Sequence, residues 1–477
     1  MQIDPAAASF ANVSGTASLA GNVLAAFAAG SYRTKQYTIL ESAGLGGTQF
    51  TAFGTTNLPA GFAARLSYSI TDVFLTLAAI LGYSGGLSGN QQNVANDLNN
   101  FFNSGGTLPP NFLTIFGLSG GNLAQALSQL SGEAAADGEL GSFQMMTQFL
   151  GLMLDPTVEG RGGGPGAIGF APERQASLPP DAALAYASAL KAPLKQSFEQ
   201  RWSVWGAGFG GGNRVEGDAT AGSNTATART YGFATGADYR VKPDTLLGFA
   251  LAGGGTRWDL AQGLGGGKSD AFQAGVYGMT RSGPAYLSGA LAFANHWMKT
   301  DRDAFGGDHL TASFNAQSYA GRVEGGYRYA LLPALGVTPY AAFQAQSLRT
   351  PSYSETDLTG GGFALSYNGI TATDKRTELG ARVDNGTILN SIPLELRARA
   401  AWAHDWVSDR SLTAAFQALP GSSFTVNGAA PPRNSVLTSA GAELHLAANW
   451  SLAGNFDGEF ASHSQSYAGR GTVRYTW

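Results

Sequence analysis

The chain has 477 residues, of which 13% are charged and 67 are glycine, and its formal net charge is −4. About a quarter of the residues are charged in ordinary soluble domains, so this composition is untypical of a cytosolic enzyme, and the charge gives no reason to expect nucleic acid. The absence of cysteine excludes disulfides, thiol catalysis and cysteine-ligated metals. Low charge with abundant glycine and aromatic residues instead favours a membrane barrel or a β-solenoid.

The N-terminal region, residues 1–80, contains short β-like runs separated by glycine-rich corners, for example at 37–40 and 73–77. Short strands of this kind stack in β-solenoids, and we expect the end of a solenoid here. Residues 1–5 lack the basic start of a secretory signal, so we expect the chain to be a fragment if the protein is exported.

Residues 81–180 predict a helical junction followed by a linker. From 122 to 154, leucines and other large apolar residues recur at roughly helical spacing, and Pro156 ends this stretch, while 159–180 is rich in glycine and proline. Residues 181–200 predict a second helix of about 30 Å. It carries Lys191, Lys195 and Glu199, which lipid would not accept. Inside a polar lumen these charges would be well accommodated.

From Trp202 onward, about twelve short segments alternate between apolar and polar residues and are separated by turn-forming residues. They lie at 202–210, 229–241, 244–256, 268–281, 284–298, 310–330, 335–349, 371–384, 391–406, 434–447, 449–461 and 465–477. Even numbers of segments of about 10 residues are typical of outer-membrane barrels. The chain has no run of 18 apolar residues, and without membrane helices only a closed barrel satisfies the backbone in lipid. The fold class is therefore all-β, with an antiparallel transmembrane β-barrel of about twelve strands over 201–477.

Charged residues concentrate on one face of these predicted strands, and we expect this face to line the lumen. The predicted lumen charges are Arg322, Glu324, Arg328, Arg376, Glu378, Arg382, Glu395, Arg397, Arg399, Glu459, Arg470 and Arg474. Either they only solvate a wide interior, or opposite charges pair across the lumen and hold the pore helix. Tryptophan and tyrosine lie near the segment ends, where aromatic girdles belong.

The last eleven residues alternate almost perfectly and end on an aromatic ring. Val473, Tyr475 and Trp477 share one face, while Arg470 and Arg474 share the other. To close a barrel, the edge of this strand must pair with the first strand near Trp202.

These features together resemble the autotransporters, the type V secretion proteins of Gram-negative bacteria. Residues 201–477 resemble the translocator β-domain, the stretch from Ala126 to Glu133 resembles the junction that precedes it, and 1–80 resemble the end of a passenger. Val473, Tyr475 and Trp477 are similar to the C-terminal signal recognised during assembly. The resemblance implies a monomeric barrel in outer-membrane lipid, inserted by the barrel assembly machinery, with a helix through its pore. We expect 181–200 to be this helix, with 122–154 as the less favoured candidate, because only 181–200 directly precedes the first strand. It also implies that the barrel carries its own passenger to the cell surface without a cofactor.

Three alternatives remain open from the sequence. The first is a surface adhesin in which residues 1–120 bind cells. The second is a displayed hydrolase, because Ser84 and Ser119 lie in segments of the Gly-x-Ser-x-Gly type, although all five histidines lie in the predicted barrel. The third is a soluble β-sandwich. The histidines have no paired metal-ligand spacing, so we predict neither a metal nor a catalytic site.

Overall fold

The computed structural model describes residues 1–154, 201–390, 392–407, 410–447 and 449–477. Its N-terminal region has seven short strands. These are β1 (Gln2–Ile3), β2 (Ala11–Thr16), β3 (Asn22–Phe27), β4 (Gln36–Gly44), β5 (Ala52–Thr56), β6 (Phe62–Tyr68) and β7 (Asp72–Ala79).

The N-terminal strands stack as coils. Strands β1, β3 and β5 pair in parallel in one sheet, and β2 pairs in parallel with β4 in a second sheet, which β7 and β6 extend in antiparallel fashion. The first two coils therefore each add one strand to each sheet, as in a short β-solenoid, and the third adds β5 to the first sheet and the β6–β7 hairpin to the second. In β7, Val73, Leu75, Leu77 and Ala79 alternate with less buried residues and supply the core.

Four α-helices follow: α1 (Gly89–Asn103), α2 (Pro110–Ile115), α3 (Gly120–Leu130) and α4 (Gly138–Leu154). A capping box formed by Ser88 and Gln91 starts α1. After α3, Gly132 takes a left-handed conformation with φ of 69°, which stops the helix. None of the described helices combines the length and apolarity needed to cross a membrane.

Eighteen strands are described in the remainder of the chain. They are β8 (Trp202–Val215), β9 (Ala226–Lys242), β10 (Thr245–Leu260), β11 (Gly266–Ser282), β12 (Ala285–Ala304), β13 (Asp308–Tyr327), β14 (Tyr329–Leu332), β15 (Leu335–Thr350), β16 (Tyr353–Ser354), β17 (Thr356–Asp357), β18 (Leu365–Tyr367), β19 (Ile370–Leu389), β20 (Ile392–Val407), β21 (Ser411–Phe416), β22 (Phe424–Asn427), β23 (Asn434–Ala447), β24 (Trp450–Ala461) and β25 (Ser464–Thr476).

Twelve of these strands close into an antiparallel barrel in the order β8 to β13, β15, β19, β20, β23, β24 and β25. The last strand pairs with the first, from Ser464 opposite Val215 to Thr476 opposite Ser203. The predicted twelve-stranded barrel is thus confirmed. Several strands are longer than expected. For example, β8 continues to Val215, beyond the predicted end at residue 210, because both neighbouring strands hold Gly211 and Gly212 in their ladders.

The outer surface of the barrel is apolar, as a bilayer requires. Exposed side chains on the outer face include Leu247, Phe249, Leu251, Leu287, Leu291, Val323, Phe343, Leu379, Leu396, Leu452 and Phe456. Exposed rings at the end with short turns include Trp202, Tyr327, Tyr329, Trp450 and Trp477. This surface rules out the soluble sandwich, whose apolar faces would be buried against each other.

The opposite end of the barrel carries long loops that fold into a separate four-stranded sheet, in the order β16, β18, β21, β22. We call it the loop sheet. Phe112 of α2 packs on Phe363 and Phe416, with ring centroids 4.7 and 5.1 Å apart. Asn90 of α1 exchanges hydrogen bonds of 2.8 and 2.9 Å with the backbone of Asn427. The N-terminal region and the loop sheet therefore share one hydrophobic core.

Candidate functional site in the barrel lumen

Helix α4 lies inside the barrel. Its apolar side chains Met145, Met146, Phe149, Leu150 and Met153 are buried in a cluster with inward residues of β8 to β13. Hydrogen bonds fix its polar side: Gln148 Nε2 donates to Thr230 Oγ1 at 3.0 Å, Gln344 Nε2 donates to Thr147 Oγ1 at 3.0 Å, and Gln144 Nε2 donates to Ser466 Oγ at 3.1 Å.

The wall beside α4 is built from very small residues. The inward positions of β10, β11 and β12 include Ala250, Ala252, Gly254, Ala271, Gly275, Ala290, Ala292 and Ala294. The helix itself contributes Gly141, where an added Cβ would lie 2.9 Å from Thr256 Cβ. Small residues on both surfaces allow an apolar helix to approach the strands closely.

The lumen helix belongs to the 122–154 segment, which the sequence analysis treated as the less favoured candidate. The favoured segment, 181–200, lies outside the described residues, so its place in the pore stays a prediction. Residues 181–200 were favoured because they directly precede the first strand. The alanine and glycine residues facing inward on three consecutive strands were the signal for an apolar partner such as α4.

The other half of the lumen is polar. Between α4 and the wall formed by β19, β20, β23, β24 and β25 lies a cavity of about 260 Å³, lined by charged side chains such as Arg376, Arg399, Asp457 and Arg470. The lumen is therefore divided into an apolar half that binds the helix and a charged half that borders the cavity.

Every predicted lumen charge forms an ion pair in the structure. The pairs are Arg322 with Glu324 and Glu378 (2.9 and 2.6 Å), Arg382 with Glu324 (2.6 Å), Arg328 with Asp384 (2.5 Å), Arg376 with Asp405 and Glu459 (both 2.6 Å), Arg397 with Glu395 and Glu443 (2.7 and 2.8 Å), Arg399 and Arg470 with Asp457 (3.3 and 3.2 Å), and Arg474 with Asp238 (2.5 Å). These charges join wall strands to one another. The ion pair described for α4 is instead that of Glu139 with Arg410, at 3.0 Å.

A buried polar cluster joins the two ends of the barrel sheet. Arg474 of β25 donates to Asp238 of β9 and, at 2.8 Å, to Ser203 of β8. Asp238 also accepts hydrogen bonds from Ser203, at 2.8 Å, and from Tyr277 of β11. Trp205 Nε1 donates to Tyr277 Oη at 2.9 Å. We call these five residues the seam cluster. Asp238 was not among the predicted lumen charges, although its place in the alternation of β9 indicates an inward side chain.

The aromatic C-terminus completes the same seam from outside. Trp477 and Trp202 exchange backbone hydrogen bonds of 2.9 and 3.1 Å. The Tyr475 ring stacks on Trp477 at 5.6 Å and contacts Trp450 at 4.8 Å. Val473 is exposed on the same outer face. The three predicted signal residues therefore lie on the lipid-facing edge of the closing strand.

The chain is clamped where it enters the barrel. Glu133 accepts hydrogen bonds of 2.5 and 2.6 Å from the backbone N–H and Nδ2 of Asn224, and burial raises the pKa of Glu133 to about 7. Asp137 accepts a 2.9 Å bond from the backbone N–H of Ala429, and burial raises the pKa of Asp137 as well. Both acids are held by the loops.

The barrel also binds the backbone of this junction. Arg302 Nη1 donates to the carbonyl oxygen of Gln129 at 2.8 Å, and Trp258 Nε1 donates to that of Ala134 at 2.9 Å. The stretch from Ala126 to Glu133 is thus the last turn of α3 and the connection into the lumen.

The two serine candidates lack the geometry of a nucleophile elbow, in which a sharp turn that carries the serine joins a strand directly to a helix. Ser119 is the N-cap of α3 and follows α2, whereas Ser84 lies in an exposed turn, five residues after the end of β7 and five residues before the start of α1.

A closed barrel with a lipid-like exterior and a helix in its lumen defines the class of outer-membrane β-barrels with an internal plug. The family model described as autotransporter beta-domain matches residues 204–457, which is more than half of the chain. The chain belongs to the autotransporter family, and its barrel is the outer-membrane translocator domain.

A curated relative, an extracellular serine protease of Serratia marcescens, is 26% identical over 240 residues, covering 50% of this chain and 22% of that protein. The chain thus spans about a fifth of the length of this relative. Solved structures with similarity include the translocator domain of NalP from Neisseria meningitidis, at 17% identity and a TM-score of 0.47, covering 62% of this chain and 97% of that one. The β-domain of BrkA from Bordetella is also 17% identical with a TM-score of 0.47, and the match covers 58% of this chain and 100% of that one.

Proposed function

We propose that this barrel carries the N-terminal region, including residues 1–80 as the end of a passenger, to the cell surface and then retains α4 as a plug. One observation carries the proposal: the chain passes from a folded region on the loop side into the lumen, where α4 lies, and α4 precedes the first strand in the sequence. This path is what remains when a polypeptide has crossed its own barrel. The short-turn end then faces the periplasm.

Folding on the outside supplies a driving force for this export. The N-terminal region buries apolar side chains against the loop sheet, including Phe112, whose transfer from water contributes about 2 kcal/mol. A segment that has folded there cannot slide back through the lumen without losing these contacts. Export therefore needs no nucleotide in this proposal.

The partners and the chemistry follow from the same argument. We expect a monomeric barrel in outer-membrane lipid, with Val473, Tyr475 and Trp477 as the residues that the barrel assembly machinery recognises. We infer no enzymatic role for this chain, since Ser84 and Ser119 lack elbow geometry and the relative with protease activity matches in the translocator part.

Cysteine labelling on intact cells tests the direction of export. The chain has no cysteine, so single substitutions can be labelled without background. Thr56→Cys lies at an exposed position in β5, and the matched Asp244→Cys lies in the short turn between β9 and β10. A membrane-impermeant maleimide should label Thr56→Cys on intact cells and Asp244→Cys only after the outer membrane is permeabilised.

The folded state of each variant is checked by electrophoresis, because a folded barrel migrates anomalously until it is heated. Labelling of Thr56→Cys only after permeabilisation, in cells whose barrel passes this check, would contradict export of the N-terminal region. Labelling of Asp244→Cys on intact cells would contradict the proposed orientation.

A further inference from the structure

Two buried carboxylates face each other near the short-turn end of the lumen. Glu395 of β20 lies directly opposite Glu443 of β23 in the ladder, and His445 follows two residues later on the same face of β23. Glu443 is fully buried, Glu395 is nearly so, and His445 is half-buried. One ligand atom from each of the three side chains lies within 4.8 Å of the other two.

This arrangement is electrostatically unfavourable by itself, because like charges directly opposite each other destabilise an antiparallel pair. Among the described residues, the two carboxylates share one guanidinium: Arg397 Nη2 lies 2.7 Å from Glu395 Oε2 and 2.8 Å from Glu443 Oε2. The contact of Arg397 with Glu443 is an ion pair without hydrogen-bond geometry, and neither buried oxygen of Glu443 accepts a hydrogen bond. Elsewhere in the lumen, one carboxylate can have two positive partners: Glu324 contacts both Arg322 and Arg382.

We propose that Glu395, Glu443 and His445 bind a divalent transition-metal ion. Two carboxylate oxygens and an imidazole nitrogen are a ligand set that zinc accepts at about 2.0–2.2 Å, with water in a fourth position. Binding would draw the three atoms closer together than the 4.8 Å within which they lie in the structure. The metal ion is a second positive partner and relieves the repulsion between the two carboxylates. Arg397, which is not a ligand, then orients the carboxylates.

The imidazole selects the kind of metal. Magnesium and calcium prefer sites made only of oxygen, whereas zinc, nickel and copper bind imidazole well. The ion would tie β20 to β23 at the end of the lumen opposite the loop sheet, and ions would reach it past the half-buried His445.

Zinc titration of the tag-free full chain tests this assignment. The purified barrel is freed of metal with a chelator, and zinc binding is measured by calorimetry in detergent. We expect the parent chain to bind one equivalent of zinc. The variants Glu443→Gln and His445→Asn should each bind zinc at least about 100-fold more weakly than the parent. The matched control is His404→Asn, which should leave the affinity for zinc unchanged. His404 lies on the outer face of β20, where it forms a hydrogen bond with Asn434 and contacts the exposed rings of Trp402 and Trp406.

Each variant must first show heat-dependent migration, so that loss of binding is measured on a folded barrel. His445→Asn keeps both carboxylates and serves if Glu443→Gln does not fold. The assignment is overturned if the folded parent chain binds no zinc, if His445→Asn binds zinc as tightly as the parent, or if His404→Asn loses the site.

Discussion

Arg474 provides the sharpest test of how the barrel is closed. Replacing it with methionine keeps most of the side-chain volume but removes the charge that pairs with Asp238. The ion pair is almost completely buried, since the side chains of Arg474 and Asp238 are 3% and 1% exposed. The variant Arg474→Met therefore leaves a carboxylate buried beside Ser203 and Tyr277 without the guanidinium.

Removing one partner of a buried ion pair costs about 3–5 kcal/mol, because the other charge stays buried and loses that partner. For a domain of this size, each kcal/mol shifts the unfolding midpoint by about 2–4 °C. We therefore expect Arg474→Met to lose its folded electrophoretic form at a temperature roughly 6–20 °C lower than the parent chain. The double variant Arg474→Met, Asp238→Asn should recover part of this loss, since both charges are then absent.

The matched control is Arg470→Met on the same face of β25. The Arg470 side chain is 19% exposed beside the cavity and pairs with Asp457 at 3.2 Å, so its loss should cost about 1 kcal/mol or less. Gel migration after heating in steps, followed by urea unfolding in micelles, measures both. An unchanged midpoint in Arg474→Met, or an equal decrease in Arg470→Met, would refute the argument that the seam cluster closes the barrel.

Three further predictions concern the junction and the C-terminus. Gly132→Ala should destabilise the junction by about 1–3 kcal/mol and speed its proteolysis, because its φ is positive and a Cβ would collide with Tyr367 Oη. Gly121→Ala, where nothing lies within 4 Å, is its control, and equal proteolysis of the two would count against this reason. Because burial raises the pKa of Glu133 to about 7, its contribution to stability is complete below the ordinary carboxyl pKa of 4.5 and is lost as the pH rises through 7. The melting midpoint of the parent chain should therefore fall more than that of Glu133→Gln between about pH 5 and pH 8, and parallel pH profiles would disprove this. Deletion of Trp477 removes the last backbone pairing with the first strand and should lower the fraction of the protein found in the outer membrane. The control Trp477→Phe keeps an aromatic ring and should leave that fraction unchanged. Normal insertion of the deletion variant would be inconsistent with an assembly role.

The barrel strands could be predicted well because the features that define them involve residues close together in the sequence. Alternation along each strand specifies which side chains face lipid, and turn residues mark where a strand ends. The predicted end of β8 at residue 210 was too early for the same reason: Gly210–Gly212 lack side chains that alternate, so only pairing with β25 and β9 shows that the strand continues.

The interior depends on contacts that alternation cannot specify. The pattern identified Arg376 and Arg399 as inward, but their partners Glu459 and Asp457 lie on strands that are distant in sequence. The loop sheet was missed for a related reason, because strands as short as β16 and β18 are stable only when helices from the N-terminal region cover them.

The core shared by the loop sheet and the N-terminal helices has a consequence for protein engineering. A chimera in which a foreign passenger is joined immediately before β8 would keep every barrel strand. It would lack the helices that cover Phe363 and Phe416 of the loops, so these apolar side chains would be exposed to the medium. A join placed before Ser88 keeps α1, α2, α3 and α4 together with the loops they cover. The unit that can be exchanged as a surface-display scaffold therefore begins near residue 88, well before the first strand of the barrel.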